Sequence, residues 1–131
     1  MDLDLVWAAL VGALLGSLAD WLFAGVIFHG RYQLTPDTWR PGARERGRIV
    51  VAMGLALVTA AAFVALADKL GQTDRTGALK LAAMIWLIGP LPLLLANAHF
   101  IRVDHIVTAT HAAGWLVKLL LIGAATAFFL P

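Results

Sequence analysis

Cysteine is absent from the 131 residues, which excludes a disulfide framework, a thiolate metal site and a cysteine nucleophile together. Charge is scarce as well. Asp, Glu, Lys and Arg make up 14% of the chain, against about a quarter in soluble domains, too little to clothe a globular surface in water. Excess charge of one sign is also small: the formal net charge is +2, and five of the ten basic residues, Arg31, Arg40, Arg44, Arg46 and Arg48, fall in one connector. The basicity is therefore local and calls for no nucleic-acid partner. The sequence has no P-loop, no H-E-x-x-H pair, no nucleophile beside a base and an orienting group, and no paired carboxylates. What it has instead is oil: 61% of residues are hydrophobic, where about 45–50% is usual even when glycine is counted.

A helix that crosses about 30 Å of hydrocarbon at about 1.5 Å per residue needs roughly 20 apolar residues. Four runs of that kind are present, at 5–28, 49–67, 81–100 and 107–130. Alanine, leucine and glycine dominate them and no period-two alternation persists, so strands are excluded. Because every backbone polar group must find an internal partner in lipid, the expected fold is all-α, a single transmembrane domain over 1–131 forming an integral membrane four-helix bundle. The connectors are short, which implies antiparallel neighbours; Asp37 is positioned to cap a turn in the first of them. Arg31, Arg40, Arg44, Arg46, Arg48 and Arg102 lie in the first and third connectors, against Lys69, Arg75 and Lys80 at the second. That asymmetry predicts both termini outside the cytoplasm. Asp2 and Asp4 in place of a basic leader mark the first run as a retained span.

Ionisable groups at membrane depth cost at least about 2.5–3.5 kcal/mol and so face protein or water and have a partner. Two occur, Asp20 and Lys118. They read either as a proton- or ion-responsive pair in a water-accessible cleft, with His111 and Asn97 beside it, or as a structural ion pair. Gly12, Gly16, Asp20 and Ala24 recur every four residues as a ridge that admits a close helix, and Thr108, His111, Trp115 and Lys118 form the matching stripe. Trp21 and Trp115 fall at one depth and read as packing residues. His29, His99, His105 and His111 all approach the basic side, so they are candidates for a metal or haem site or for a proton relay; the expectation is no cofactor. Gly89, Pro90 and Pro92 predict a break in the third span. Next to anionic lipid each basic residue gains about 1 kcal/mol, so Arg40, Arg44, Arg46 and Arg48 read as headgroup contacts.

Three stretches carry a family likeness: the first span through G-S-L-A-D-W-L-F-A-G-V-I-F, the third through T-G-A-L-K-L-A-A-M-I-W-L-I-G-P, and the fourth through H-A-A-G-W-L-V-K-L-L-L-I-G-A. In these the chain resembles the small bacterial four-helix membrane proteins of domain of unknown function 1761, along nearly its whole length. The aromatic and proline that usually follow the first-span tryptophan are absent. The resemblance implies membrane location and four helices and assigns no catalytic residue. The functional expectation is a structural or accessory subunit of the bacterial inner membrane, non-enzymatic rather than catalytic, that works through helix packing as a homo-oligomer or in a larger complex with lipids as its other partners. The alternative is a small transporter or proton-coupled permeation unit built on Asp20, Lys118, His111 and Asn97; a metal, haem or lipid-modifying site at the histidines is a third class.

Overall fold

The structure, a computed structural model, describes residues 3–34 and 45–130. Asp37, Arg40 and Arg44 lie outside the described residues. Helix α1 spans Leu3–Asp20 and runs into a π-helical segment, Trp21–Ile27, and then the short α2, His29–Gln33. Next come α3, Glu45–Lys69; α4, Arg75–Ile88; α5, Pro90–Phe100; and α6, His105–Phe129. The described residues contain no strand. Four helical stretches, Leu3–Ile27, Arg46–Lys69, Arg75–Phe100 and His105–Phe129, are long and apolar enough to cross a membrane. The chain is a multi-pass membrane protein with an all-α fold.

Local chemistry sets the ends of these helices. Asp74 accepts from the amides of Thr76 and Gly77, and Asp104 from those of Ile106 and Val107, so each satisfies amides that a helix start leaves without partners. Capping explains why α4 begins at Arg75 and α6 at His105, ahead of the apolar runs at 81 and 107. Helix α3 closes at Gly71, whose φ of +62° suits a residue without a Cβ. There the amide of Gln72 reaches back to the carbonyl of Ala67 at 2.8 Å, the bonding of a glycine-terminated helix. The third span breaks where Pro90 opens α5 after Gly89. Pro90 and Pro92 bring no N–H for the carbonyls of Trp86 and Ile88, so the α-helical ladder stops.

Helix α6 is the centre of the arrangement. It packs along α1 and along α4, and α1 in turn packs along α3, which also touches α6. Contacts between Gly12 and Ile122, Gly16 and Lys118, and Gly114 and Phe23 run in opposite directions along α1 and α6, so the two are antiparallel. Gly123 against Ala78 and the indole of Trp86 donating to the carbonyl of Ala112 at 2.8 Å show the same for α4 and α6. Small residues make these approaches close: a Cβ on Gly123 would lie 3.0 Å from the carbonyl oxygen of Ala78. With little hydrophobic drive between helices in lipid, such van der Waals contact is the main attraction. The turn at Leu70–Asp74 reverses the chain without bringing α3 and α4 side by side.

At the end that holds the termini all four spans pack together, whereas at the basic end burial follows α6, where Val107, Thr108, Thr110 and Ala112 stay buried. Ala13, Ala60, Phe63, Ala67, Ala82, Leu119 and Ile122 form one buried cluster near the termini. The hydroxyls of Thr126, near the termini, and of Thr110, near the basic end, donate to carbonyls four residues back on their own helix, which meets their polar demand locally. Towards the basic end, every residue from 46 to 55 on α3 is exposed, and α5 has no buried residue.

One tie spans the basic end: Arg31 of α2 donates to Asp104 at 3.2 Å. Hydrogen bonds from the amides of Ile106 and Val107, together with Arg31, hold the Asp104 carboxyl below its ordinary value against the opposing effect of burial. A depressed carboxylate contributes stability above its unfolded pKa, about 3.9, and loses it as pH falls through the folded value. Thermal melts in detergent should therefore show a drop in Tm below about pH 4 that is smaller in Asp104→Asn, which keeps a capping side chain; superimposable acid profiles would remove Asp104 from this role.

Candidate functional site: an ion pair within the spans

Asp20 is the last residue of α1, seven residues before the span ends at Ile27, or about 10 Å from that end. Lys118 lies thirteen residues into α6, or about 20 Å from the same end. Side chains on a helix lean towards its N-terminus. In an antiparallel pair the lysine stem therefore leans towards the basic end and the carboxylate towards the membrane centre, and the two meet. Lys118 Nζ donates to Asp20 Oδ2 at 2.6 Å.

Three neighbours make room for the ammonium and hold it. Gly16, one turn before Asp20, lies under the lysine stem; a Cβ there would sit 3.2 Å from Lys118 Cγ. Trp115, one turn before Lys118, places its ring 4.8 Å from Nζ, within the range of a cation–π contact, while its body packs against the buried cluster. His111, seven residues before Lys118 on the same face of α6, stands within electrostatic reach of Asp20. The pair is unequal in burial. The lysine side chain is 6% exposed and the aspartate 43%.

Other residues singled out in the sequence lie elsewhere. Trp21 is not a packing residue; it is 62% exposed, because it is about 100° round the helix from Asp20, with its indole lying against Gly25 of its own segment. Ala24 is half-buried, and it is Phe23 that meets α6, at Gly114. Asn97 is exposed on α5, which the break at Gly89 carries off the tightly packed part of the bundle. The histidines share a depth without forming a ligand set: among the described residues no three of His, Asp or Glu are grouped to hold a metal. They are spread over α2, α5 and α6, and His99 Nδ1 is 2.8 Å from the carbonyl of Leu95 on its own helix. Arg46 and Arg48 are exposed at the start of α3.

A family model described as a protein of unknown function, DUF1761, matches residues 7–127. The chain belongs to that family. No curated protein and no solved structure matches it. The family description names no reaction, so the chemistry of the site rests on its own geometry, and every described element that builds the pair lies within the matched stretch.

Two features of this region were not read from the sequence. The π-helical segment begins at the residue after Asp20, and π-helical turns recur at functional positions; nothing in W-L-F-A-G-V-I announces one. The other is the bond from the Trp86 indole to the carbonyl of Ala112. The burial asymmetry of the pair yields a test. Asp20→Asn leaves a buried ammonium without its counter-charge and should cost about 3 kcal/mol or more, whereas Lys118→Met leaves a half-exposed carboxylate and should cost clearly less. Asp20→Leu combined with Lys118→Met should recover most of the loss. Unfolding in mixed micelles measures all three, and equal costs for the two single changes would contradict the asymmetry.

Proposed function

We propose that this protein is a structural or accessory membrane subunit, non-enzymatic, that acts through helix packing as a homo-oligomer or within a larger complex of a bacterial inner membrane, with both termini outside the cytoplasm. One observation carries the reading: the two ionisable groups inside the spans are committed to each other at 2.6 Å, with the lysine enclosed. Groups spent on holding α1 to α6 are not left open for a reaction. The pair, with Gly12, Gly16 and the small residues of α6, makes α1 and α6 a rigid backbone. Spans α3 and α4–α5 each pack along one flank of it, which leaves their outer faces for a neighbouring chain. Lipid contact through Arg40, Arg44, Arg46 and Arg48 accompanies this role.

A second reading, a small proton-coupled permeation unit, draws on a specific feature, the exposed edge of Asp20 with His111 in electrostatic reach. The two separate cleanly. A packing subunit should keep its assembly, measured by native mass in membrane extracts, when Asp20→Leu and Lys118→Met are combined, since two apolar side chains can replace a buried pair. A permeation unit should lose a pH-dependent flux in liposomes on Asp20→Asn with folding intact. A strictly monomeric protein that recovers no partner from native membranes would end the packing reading; equal flux through Asp20→Asn and the unaltered protein would end the other.

A further inference from the structure

The inward face of α3 follows a strict three-four spacing: Arg46, Ile49, Met53, Ala56, Ala60, Phe63, Ala67. Its second half is packed, with Ala56, Ala60, Phe63 and Ala67 all buried. Its first half is not. Ile49 and Met53 are 54% and 53% exposed, and a Cβ on Gly54 beside them would meet nothing within 4 Å. One stripe on one helix thus loses its partner half-way. Across from it, α3 packs along α1 but not along the π-helical segment that follows Asp20. Gly12 faces Ala60, so by antiparallel register Asp20 stands level with residues 52–53. Asp20 also continues the α1 face of Ala13, seven residues earlier, which belongs to the buried cluster. The exposed carboxylate edge therefore lies where α3 departs.

The result is a wedge that opens towards the basic end, with apolar walls and an arginine at its mouth. From Arg46 to Ala56 it is ten residues long, about 15 Å, which is half of a hydrocarbon core of about 30 Å, or one leaflet. A transmembrane helix of a partner or of a second copy needs the whole thickness and would find the far half closed. A lipid of the near leaflet needs only this much. We infer that the wedge between the first half of α3 and the π-helical segment seats one anionic phospholipid, its acyl chains along Ile49 and Met53 and its phosphate beside Arg46. The headgroup brings its hydration into the widening, towards the edge of Asp20 that Lys118 leaves uncovered. This goes beyond a general preference of basic residues for an anionic surface, because it assigns a single seat and a wall that shapes it.

The test uses the full chain purified in an equimolar mixture of phosphatidylglycerol and phosphatidylcholine, with retained lipid counted by native mass spectrometry. One phosphatidylglycerol per chain should remain. Arg46→Gln should lower the preference for it over phosphatidylcholine about five-fold. Met53→Trp, which fills the wedge without altering charge, should abolish retention, and Lys80→Gln at the opposite end should leave it unchanged. Should Met53→Trp not fold, photo-cross-linking of a diazirine-tailed phosphatidylglycerol to the unaltered protein reads the same seat, with label expected within residues 46–56 and 20–27. Equal retention of both lipids, retention that survives Met53→Trp, or label spread around the outer face of α3 would overturn the inference. So would efficient disulfide dimerisation of Met53→Cys, in a chain with no other cysteine, since that would place a second copy in the wedge.

Discussion

An ammonium group held near the middle of a hydrocarbon layer is the constraint around which this molecule is arranged. Lys118 cannot leave its charge in lipid without a large free-energy cost, and the groups that offset it must come from another helix, because no acid lies within a turn of it on α6. Only an antiparallel neighbour whose carboxylate leans inwards can supply one at that depth. Asp20 on α1 meets the condition. The glycine at position 16 is part of the same solution, since a larger side chain there would lie where the lysine stem runs. The α1–α6 contact thus follows from one charge and the space its side chain occupies.

Around that contact all four spans close together at the terminal end, while at the basic end burial continues along α6 but not along α5 or residues 46–55 of α3. Alanine and glycine on α1, α3, α4 and α6 let four helices approach at the terminal end, where each small side chain brings two backbones into van der Waals range. At the basic end α3 carries Ile49 and Met53 and α5 carries Leu93 and Leu95, and the third span is broken by Pro90. Bulky aliphatic residues gain as much from lipid tails as from one another, so nothing draws these segments together. What stitches that end is polar and short: Asp104 caps α6 and at the same time receives Arg31 from α2. The pair at Asp20 and Lys118 stands at the boundary between the two regimes, which is why one partner is enclosed and the other only half so.

Much of the fold was legible before any coordinates. Four apolar runs and the break at Gly89 and Pro90 are local properties, and hydrophobicity and ring chemistry act over a few residues. The glycines of α1 and the lysine of α6 could be placed on stripes by counting. Counting failed at Trp21, where depth suggested packing and the angular step from Asp20 put the ring outside. Equal depth likewise leaves the histidines apart on α2, α5 and α6, where among the described residues no three such groups gather to hold a metal.

Membrane residence, helical class and the number of spans were thus settled by composition and run length, quantities that no arrangement of the helices can alter. Which helices touch, how unequally the two charges are buried, and where α3 parts from its neighbour were decided by three-dimensional packing alone. The physical reason is that lipid solvates every apolar face equally well. The choice among faces passes to small differences in side-chain size and to the few charges that need each other, and those act between residues about a hundred positions apart.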